Sequence, residues 1–427
     1  MRIQSRSRLD FLPTIGHVKG AMSTTRERYD ALRALGLKLD LTRGQPGDDN
    51  FDISNPMLTI VDDKSLVTPS GVALRNYPGG IAGIKEAREL FAPMLGVQPD
   101  EIIVGNNASL ALEGNVLMWA MLKGVPGSTA PWCKGDVKCI VTVPGYDRHF
   151  LMLERLGIGM IPVAMTSEGP DIAAIEKIVA NDASVKGLLY VPTYSNPTGD
   201  TTTQAVADRL GAMKTAAPDF TIFADDAYAV HHLDDTPPAH PDLLGAAKKA
   251  GNPTRVILFG STSKITFAGA GVSFLAGSKA TIAWIGELMG TQMITPNKVE
   301  QYRHVLFLCR YPGGIGGVMK AHAKLLGPKF SVVEEVLSKE LGGKGLARWT
   351  KPKGGYFVSL DTEKPVASKV VQLAKEAGVA LTPAGATYPF GKDPNDRNIR
   401  ISPTRPPLDQ VRKAMEVVAV CVQLASE

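Results

Sequence analysis

The sequence predicts an α/β protein: a three-layer sandwich built on a mostly parallel sheet, followed by a smaller α+β domain. Three observations support this fold class. Short apolar, β-branched runs alternate with stretches of helical period, as in chains that form parallel sheets. These runs are apolar on both faces, which is typical of strands covered by helices on two sides. After about residue 300 the alternation gives way to long helical stretches and then short strands.

The strands of the large sheet are predicted to be short and to alternate with helices such as 108–123 and 149–156. In sheets of this kind, ligands bind just beyond the strand ends. The residues that directly follow each strand are therefore the first candidates for a functional site. The strands are predicted over residues 137–143, 187–191, 221–224, 256–259 and 272–276.

The last part of the chain is predicted to form a separate, smaller sheet with its own helices. A helical stretch over 297–326 leads into a second one over 330–341, and a helix over 407–425 closes the chain. Between them, short apolar runs bounded by Gly and Pro indicate strands. The strands predicted for the separate sheet are 355–360, 379–382 and 398–402.

The two ends of the chain are expected to meet in the smaller domain. A helix over 22–37 is followed by an extended segment, 39–46, which is expected to cross back to the C-terminal part. The prediction is a large domain over 61–310 and a small domain made of 1–60 and 311–427.

Composition indicates a folded globular protein and argues against several functional classes. The formal net charge is +5, but Lys and Arg are spread along the whole chain, so we expect no nucleic-acid partner. No apolar run reaches the roughly 18 to 20 residues that span a bilayer. Residues 1–10 are polar and lack a signal-peptide core. We therefore expect a cytoplasmic protein, without membrane partners, that binds a small anionic ligand.

The cysteines and histidines predict no metal site. No CxxC pair and no HExxH pattern occurs, and the adjacent His231 and His232 would point in different directions on most backbones. The cysteines lie in or beside apolar segments, so we expect reduced and mostly buried thiols. They are Cys133, Cys139, Cys309 and Cys421.

The most informative segment is FGSTSKITFAGAG, residues 259–271, in which Lys264 follows a strand. Desolvation at such a position lowers the pKa of a lysine and makes its amine a nucleophile towards an aldehyde. The hydroxyls of Ser261 and Ser263 are candidate phosphate donors. An ordinary surface lysine after a strand is the alternative, so the assignment depends on partners elsewhere in the chain.

Asp225 follows another apolar strand, in TIFADDAYAV. A carboxylate at a buried strand end is costly unless it is paired, and a protonated pyridine nitrogen would be a suitable partner. Asp226 would face the opposite way and is the weaker candidate. If the pyridine ring that carries this nitrogen also has a phenolic oxygen, Tyr228 could donate a hydrogen bond to that oxygen. The alternative is an aspartate that merely caps a turn.

Asn196 follows a third strand, in VPTYSNPTGDT, where Pro197 fixes the turn and Gly199 relaxes it. Its amide could donate to the same phenolic oxygen. An ordinary Asn-Pro turn is the alternative. Together with Lys264 and Asp225, Asn196 puts polar groups at three strand ends, which indicates one shared crevice.

Two further segments are expected to complete the site. GNNASLALEG, residues 105–114, begins a helix whose free N–H groups would attract phosphate, with Ala108 and Ser109 as candidates. In VPGYDRHF, the ring of Tyr146 could stack on a flat cofactor. His149 lies behind it or is a core histidine.

Arg400 lies inside a predicted strand of the small domain, in NIRISPTRPP. An arginine buried in a strand needs an anion, and its planar fork matches a carboxylate with two hydrogen bonds. A substrate α-carboxylate is one candidate, and an intramolecular salt bridge is the other.

Taken together, these motifs resemble class I aminotransferases of fold type I, which depend on pyridoxal 5′-phosphate (PLP). The resemblance covers nearly the whole chain and rests on Asn196-Pro-x-Gly, Asp225-x-Ala-Tyr, Ser261-x-x-Lys264 and the late Arg400. It implies PLP as the cofactor, held by Lys264 as a Schiff base. Stretches such as LDLTRGQPG and STSKITFAGAGVSF are similar to an actinobacterial-type branch of aspartate aminotransferases, sometimes grouped with the MocR-like aminotransferase domain.

The resemblance also implies roles that the residues alone do not. Gly44, in LDLTRGQPG, is implied in substrate binding. Tyr77 resembles the tyrosine that reaches the phosphate of the neighbouring subunit's cofactor, which implies a homodimer. Val272 stands where most members carry a phosphate-binding arginine. Lys298 or Arg43 are the candidates to read a distal carboxylate.

The predicted function is ping-pong transamination between an amino acid, aspartate or glutamate first, and a 2-oxo acid such as 2-oxoglutarate. A PLP-dependent lyase or decarboxylase is the alternative within enzymes, because the same site serves several reactions. A PLP-sensing transcription regulator is the alternative outside enzymes. That class expects a basic winged-helix module ahead of the PLP domain, and only about 40 residues precede LDLTRGQPG.

Overall fold

The computed structural model describes residues 24–105 and 107–427. The polar segment predicted over 1–10 and the first two residues of the helix predicted from 22 lie outside the described residues. The helices are α1 Thr25–Ala34, α2 Asp48–Asp52, α3 Lys85–Phe91, α4 Ser109–Lys123, α5 Asp147–Arg155, α6 Ile172–Val179, α7 Gln204–Ala212, α8 Leu243–Lys249, α9 Lys279–Gln292, α10 Lys298–Arg310, α11 Gly314–Leu341, α12 Ala367–Glu376 and α13 Leu408–Ser426.

The strands divide among three sheets. The largest has eight strands in the order β2-β9-β8-β7-β6-β3-β4-β5. Its central pairs are parallel, whereas β9 runs antiparallel to both of its neighbours. The strands are β1 Leu39–Asp40, β2 Ile102–Val104, β3 Lys138–Val143, β4 Gly159–Thr166, β5 Gly169–Pro170, β6 Val185–Tyr190, β7 Thr221–Asp225, β8 Val256–Ser261, β9 Ser273–Gly277, β10 Ala347–Trp349, β11 Val358–Thr362, β12 Val379–Ala380 and β13 Asn398–Ile401.

The large sheet lies between two apolar layers, which explains why its strands are apolar on both faces. Every residue of β7 and β8 is buried. Along β7, Ile222 and Ala224 pack into one hydrophobic cluster, and Phe223 packs into the other. This alternation follows from the two-residue period of a strand. The predicted three-layer α/β class with a mostly parallel sheet is confirmed.

The C-terminal sheet differs from its prediction. Strand β11 pairs antiparallel with β10 on one side and with β13 on the other. The run near residue 379 does not join them, because β12 pairs in parallel with β1, opposite Leu39. The prediction of one sheet from three runs was therefore wrong in its membership. A short strand can take any nearby free edge, and the extended segment after α1 provides that edge.

Two helical predictions are also corrected. The stretch predicted as one helix over 297–326 is interrupted between α10 and α11, where Gly313 has a φ of 79°. The first helix ends because Tyr311, the residue before Pro312, is extended, and Gly313 then precedes the first residue of the second helix. The second correction is that the stretches predicted to end at 326 and to begin at 330 form one helix, because α11 continues through Pro328. This helix connects the hydrophobic cluster under the large sheet with the one around α13.

The thiols are less buried than predicted. All four cysteines are free, but only Cys139 and Cys421 are buried. Cys133 lies in a surface turn, and Cys309 lies in the last turn of α10, so a neighbouring apolar segment did not guarantee burial. No helix in the described part of the chain is long and apolar enough to cross a membrane.

Candidate active site

A cavity of about 820 Å³ opens where β6, β7 and β8 end, between the large sheet and the C-terminal sheet. Parallel strands bring their carboxyl ends to one edge, so residues far apart in the chain meet there. Eleven of the twelve predicted site residues line this cavity. They are Gly44, Ala108, Ser109, Tyr146, Asn196, Asp225, Tyr228, Ser261, Ser263, Lys264 and Arg400.

Asp225 is the last residue of β7 and is only 3% exposed. Its Oδ2 lies 3.3 Å from Nε2 of His149, and its Oδ1 has no hydrogen-bond partner among the described residues. Asp226 faces away from it, as expected for the next residue of a strand, and its Oδ2 lies 2.6 Å from Nε2 of His240. Asp225 is thus a buried carboxylate at the cavity, and its Oδ1 can accept a hydrogen bond from a ligand.

Lys264 follows β8 and is partly buried in the cavity, with its Nζ 4.9 Å from the ring centroid of Tyr228. Burial lowers the pKa of the Lys264 amine, and the Asp225 carboxylate opposes that change. A lowered pKa leaves more of the amine neutral and therefore nucleophilic.

The backbone around Lys264 is held by residues that the sequence did not single out. The hydroxyl of Tyr356 donates to the Lys264 carbonyl over 3.4 Å, and Nε2 of His231 lies 3.4 Å from the same oxygen. Nε2 of His322 lies 2.9 Å from the carbonyl oxygen of Ile265. These contacts join elements distant in the chain, and no local sequence signal announces them.

Asn196 lies in a turn that packs closely against the C-terminal region. Gly199 has a φ of 78°, and a Cβ there would lie 2.5 Å from Pro352. Both facts agree with the predicted relaxing role of this glycine. The side-chain oxygen of Asn196 accepts a hydrogen bond from Arg400 over 3.3 Å.

Arg400, in β13, is 6% exposed and reaches the cavity from the C-terminal sheet. Its Nη1 donates to Oδ1 of Asp147 over 2.9 Å, and its guanidinium lies 5.1 Å from the ring centroid of Phe357. The intramolecular salt bridge considered for Arg400 is therefore formed. The same side chain also lines the cavity, so it combines a protein partner with access to a ligand.

His149 is 2% exposed, and its ring centroid lies 5.0 Å from that of Tyr146. Its Nε2 lies 3.3 Å from Asp225 and 3.3 Å from Oε2 of Glu113, a completely buried residue of α4. Burial by itself lowers the pKa of His149, but the two carboxylates outweigh it and raise this pKa to about 9. The sequence analysis missed Glu113, although a glutamate in the apolar run SLALEGNVLMW was a visible signal.

The predicted phosphate-binding side of the cavity consists of hydroxyls and a helix start. Helix α4 begins after Ala108 without a side-chain cap, so its first N–H groups have no such acceptor. Val272, where an arginine is usual, is 3% exposed, and its N–H donates to Oγ1 of Thr262 over 2.9 Å. The side chain of Val272 belongs to the hydrophobic cluster.

Two residues assigned from the resemblance, Tyr77 and Lys298, do not line the cavity. Tyr77 does not line the cavity and is 64% exposed. Lys298 is 3% exposed and donates to the backbone carbonyls of Ala73, Asn76 and Pro78. An ammonium has three hydrogens, so Lys298 is fully engaged and is ruled out as the reader of a distal carboxylate.

The other two resemblance-based candidates do lie at the cavity. Arg43 lines it and is exposed. Gly44 packs so closely that a Cβ there would lie 2.4 Å from Cζ of Phe357. A side chain at this position would displace the ring on which Arg400 rests.

Two solved structures with the same fold as this chain are described as aminotransferases. An aspartate transaminase from Corynebacterium glutamicum is 45% identical, has a TM-score of 0.91 and is covered over 94% of each chain. A putative aminotransferase from Corynebacterium diphtheriae is 43% identical, with a TM-score of 0.91, over 94% of this chain and 98% of that chain. The class of protein is therefore an aminotransferase.

The particular family follows from the sequence as a whole. The aspartate amino-transferase family model matches residues 15–427. A Mycolicibacterium smegmatis putative aminotransferase is 46% identical over 407 residues, 94% of each chain, and the curated C. glutamicum aspartate aminotransferase is 45% identical over 405 residues, 94% of this chain and 92% of that one. The chain belongs to the aspartate aminotransferase family, which confirms the resemblance and the predicted aminotransferase activity.

Proposed function

We propose that this aminotransferase uses PLP bound to Lys264 and transfers the amino group of aspartate or glutamate to a 2-oxo acid such as 2-oxoglutarate. One observation carries the assignment of the cofactor site. Asp225 has an unpartnered oxygen at the same cavity that receives the amine of Lys264. A ring cation and an aldehyde on one ligand would satisfy both groups.

The remaining residues of the cavity fit the parts of this cofactor. Asn196 and Tyr228 can donate to a phenolic oxygen, and the ring of Tyr146 can stack on a planar heterocycle. For the phosphate, we propose the start of α4 at Ala108 and Ser109, together with Ser261 and Ser263. Hydroxyls and N–H groups would thus hold the phosphate without the usual arginine.

The chain's own residues account for the remaining steps. When bound, PLP supplies an aldehyde that links to amines and a ring that accepts electrons. Lys264 would receive the proton from Cα of the bound amino acid. It would then return this proton to the aldehyde-derived carbon of the cofactor, which is bonded to the same nitrogen. Arg400 binds the α-carboxylate and so orients the Cα–H bond towards that amine. The second half of the reaction reverses these roles with the oxo acid.

The proposed substrates are dicarboxylic because the cavity is rich in arginine. Besides Arg400, the exposed side chains of Arg43 and Arg148 line it. We propose Arg43 as the reader of a distal carboxylate, since Lys298 is engaged elsewhere. The activity named for the C. glutamicum relative supports the same choice.

We propose that the enzyme acts as a homodimer with active sites at the subunit interface. The exposed ring of Tyr77 lies in a loop whose carbonyls are held by the buried Lys298. A held loop that presents an exposed aromatic ring fits a tyrosine that reaches a second copy's cofactor phosphate. Residues 61–310 would form the large domain of each subunit, and the two ends of the chain would form the small one.

The test is a half-reaction with single amino acids. The holoenzyme is mixed with aspartate, glutamate, alanine or phenylalanine, and the absorbance of the bound cofactor is recorded before and after addition of 2-oxoglutarate. We expect aspartate and glutamate to change the spectrum completely and the oxo acid to restore it. No change with any donor would contradict transamination. Release of CO₂ in proportion to the spectral change would indicate a decarboxylase instead.

A further inference from the structure

Glu113 is a buried carboxylate that the proposed reaction does not use. It lies on α4 among Leu112, Val116 and Leu117, which are buried in the hydrophobic cluster on one face of the large sheet. Neither of its oxygens has a hydrogen-bond partner of normal geometry among the described residues, and its polar contact is Nε2 of His149 at 3.3 Å. An ionised carboxylate in such surroundings is costly, so its retention requires a reason.

His149 is shared between two carboxylates. One ring nitrogen, Nε2, is equally distant from Glu113 and Asp225, at 3.3 Å from each. A single N–H cannot fully satisfy two carboxylates, so the attraction among these groups depends on charge. The ring nitrogen of His149 and one carboxylate oxygen from each of Glu113 and Asp225 all lie within 4.8 Å of one another.

The charges of this cluster do not balance when the cavity is empty. With the Lys264 amine neutral, as its lowered pKa favours, two carboxylates and one imidazolium give an excess of one negative charge. Burial, and after it the Asp225 carboxylate, raise the pKa of Glu113 to about 7, although His149 opposes this rise. Three further titratable groups face the cluster from the cavity. Burial and Asp225 raise the pKa of the Tyr146 and Tyr228 phenols, whereas burial lowers the pKa of the Lys264 amine and Asp225 opposes that change.

A cation at the free oxygen of Asp225 would remove this excess. Its charge would cancel the effect of Asp225 on Glu113, so Glu113 would lose its proton more readily. The buried cluster would then be neutral in both states: protonated Glu113 with an empty cavity, or ionised Glu113 with a ring cation at Asp225.

We propose that Glu113 is a positioning residue that holds a proton in the empty enzyme and releases it to solvent when the ring cation of the cofactor binds Asp225, while His149 stays charged throughout. This inference rests on the proposed function, because it requires a protonated ring nitrogen at Asp225. Its consequence is that cofactor affinity depends on the ionisation of Glu113.

The direction of the pH effect follows from this proton release. Binding that expels a proton becomes tighter as pH rises and levels off once the proton has already left the empty enzyme. With a Glu113 pKa of about 7, the ionised fraction rises about tenfold between pH 6 and pH 8. PLP titrates in the same range by itself, so the effect must be read against a variant that lacks this carboxyl.

The experiment measures the dissociation constant of PLP for the full-length apoenzyme and for Glu113→Gln, at half-unit steps from pH 6 to pH 8. The ratio of the variant's constant to that of the wild type cancels the titration of free PLP. We expect this ratio to rise about tenfold over the range. A ratio that stays constant with pH would overturn the inference.

Two further variants make the result specific. Glu101→Gln removes another buried carboxylate, one that pairs with Lys248 outside the cavity, and its ratio should not change with pH. Glu113→Asp keeps a titrating group and should retain a pH dependence that Glu113→Gln loses. If Glu113→Gln does not fold, Glu113→Asp is compared with the wild type: aspartate is the more acidic carboxyl, so its pH dependence should lie at lower pH, and curves that coincide would overturn the inference.

Failure of this inference differs from failure of the proposed function. If the wild-type protein does not bind PLP, or binds it equally well after Lys264→Ala, the proposed function is wrong. If the wild type binds PLP through Lys264 and the ratio for Glu113→Gln is flat, only the role of Glu113 is wrong.

Discussion

The two sides of the cavity differ in how completely their polar groups are paired. The sheet side, formed by Asp225 and Lys264, keeps an unpartnered carboxylate oxygen and an amine with a lowered pKa. The C-terminal side, formed by Arg400 and Phe357, has a guanidinium that already contacts Asp147, Asn196 and a ring. The polar groups of the sheet side lack partners, whereas Arg400 on the C-terminal side must give up a protein partner before it can bind a ligand.

This difference matches two kinds of ligand. A cofactor that stays bound can be the permanent partner of groups that are otherwise unsatisfied and costly to bury. A substrate that enters and leaves once per turnover needs a site that remains satisfied without it. Arg400 as the proposed substrate-binding residue meets that need, since Asp147 and Asn196 would take the place of the substrate carboxylate between turnovers.

The largest expected effect tests the sheet side. Lys264→Ala removes the amine that we propose bonds the cofactor and moves the proton, so we expect the visible absorbance of lysine-bound PLP to vanish. Transaminase kcat should fall by about 10⁴-fold or more. Lys279→Ala, at a 74% exposed lysine, serves as the control and should leave both unchanged. A retained absorbance band would show that another lysine holds the cofactor.

An intermediate effect tests the C-terminal side. Arg400→Lys keeps the charge but loses the planar fork, and one charged hydrogen bond is worth ~1.5–3 kcal/mol. We expect KM for the amino acid to rise about 10- to 100-fold, with the dissociation constant of PLP unchanged. Arg405→Lys, at an exposed ion pair with Asp40, is the control for KM. If cofactor affinity fell as well, the two sides would not be separable.

The smallest effect tests the exchange itself. Asp147→Asn keeps a hydrogen-bond acceptor for Arg400 but removes the competing negative charge. A partly exposed ion pair contributes up to ~1 kcal/mol, so we expect KM to fall by about threefold while kcat stays constant. Steady-state kinetics with one donor and saturating oxo acid would measure this. A higher KM would show that Asp147 orients Arg400 and does not compete with the substrate.

The sequence predicted the sheet side well because its signals are local. Asp225 ends β7, Lys264 lies three residues after β8 and Asn196 six residues after β6, and parallel strands end at one edge. Predictions failed where the outcome depended on a choice among distant partners. The run near residue 379 paired with Leu39 and did not join the other small strands, and Lys298 turned to the carbonyls around Asn76.

The missed residues have the same origin. Glu113 was visible as a charge within an apolar helical run, but only the packing of α4 against β8 and β9 of the large sheet brings it to His149 and Asp225. The Lys264 carbonyl oxygen is contacted by Tyr356 and His231, which come from two other parts of the chain. No periodicity or motif encodes such contacts, because they depend on how whole elements are positioned.

By itself, the sequence determined the α/β class, the order of the motifs and the chemical types available at each strand end. These properties follow from side-chain period and from the residues next to each strand. Only the tertiary structure decided the pairing of Arg400 with Asp147 and the sharing of His149 by two carboxylates. Both are contacts between residues at least 36 positions apart, and their distances are fixed by the packing of the elements that carry them.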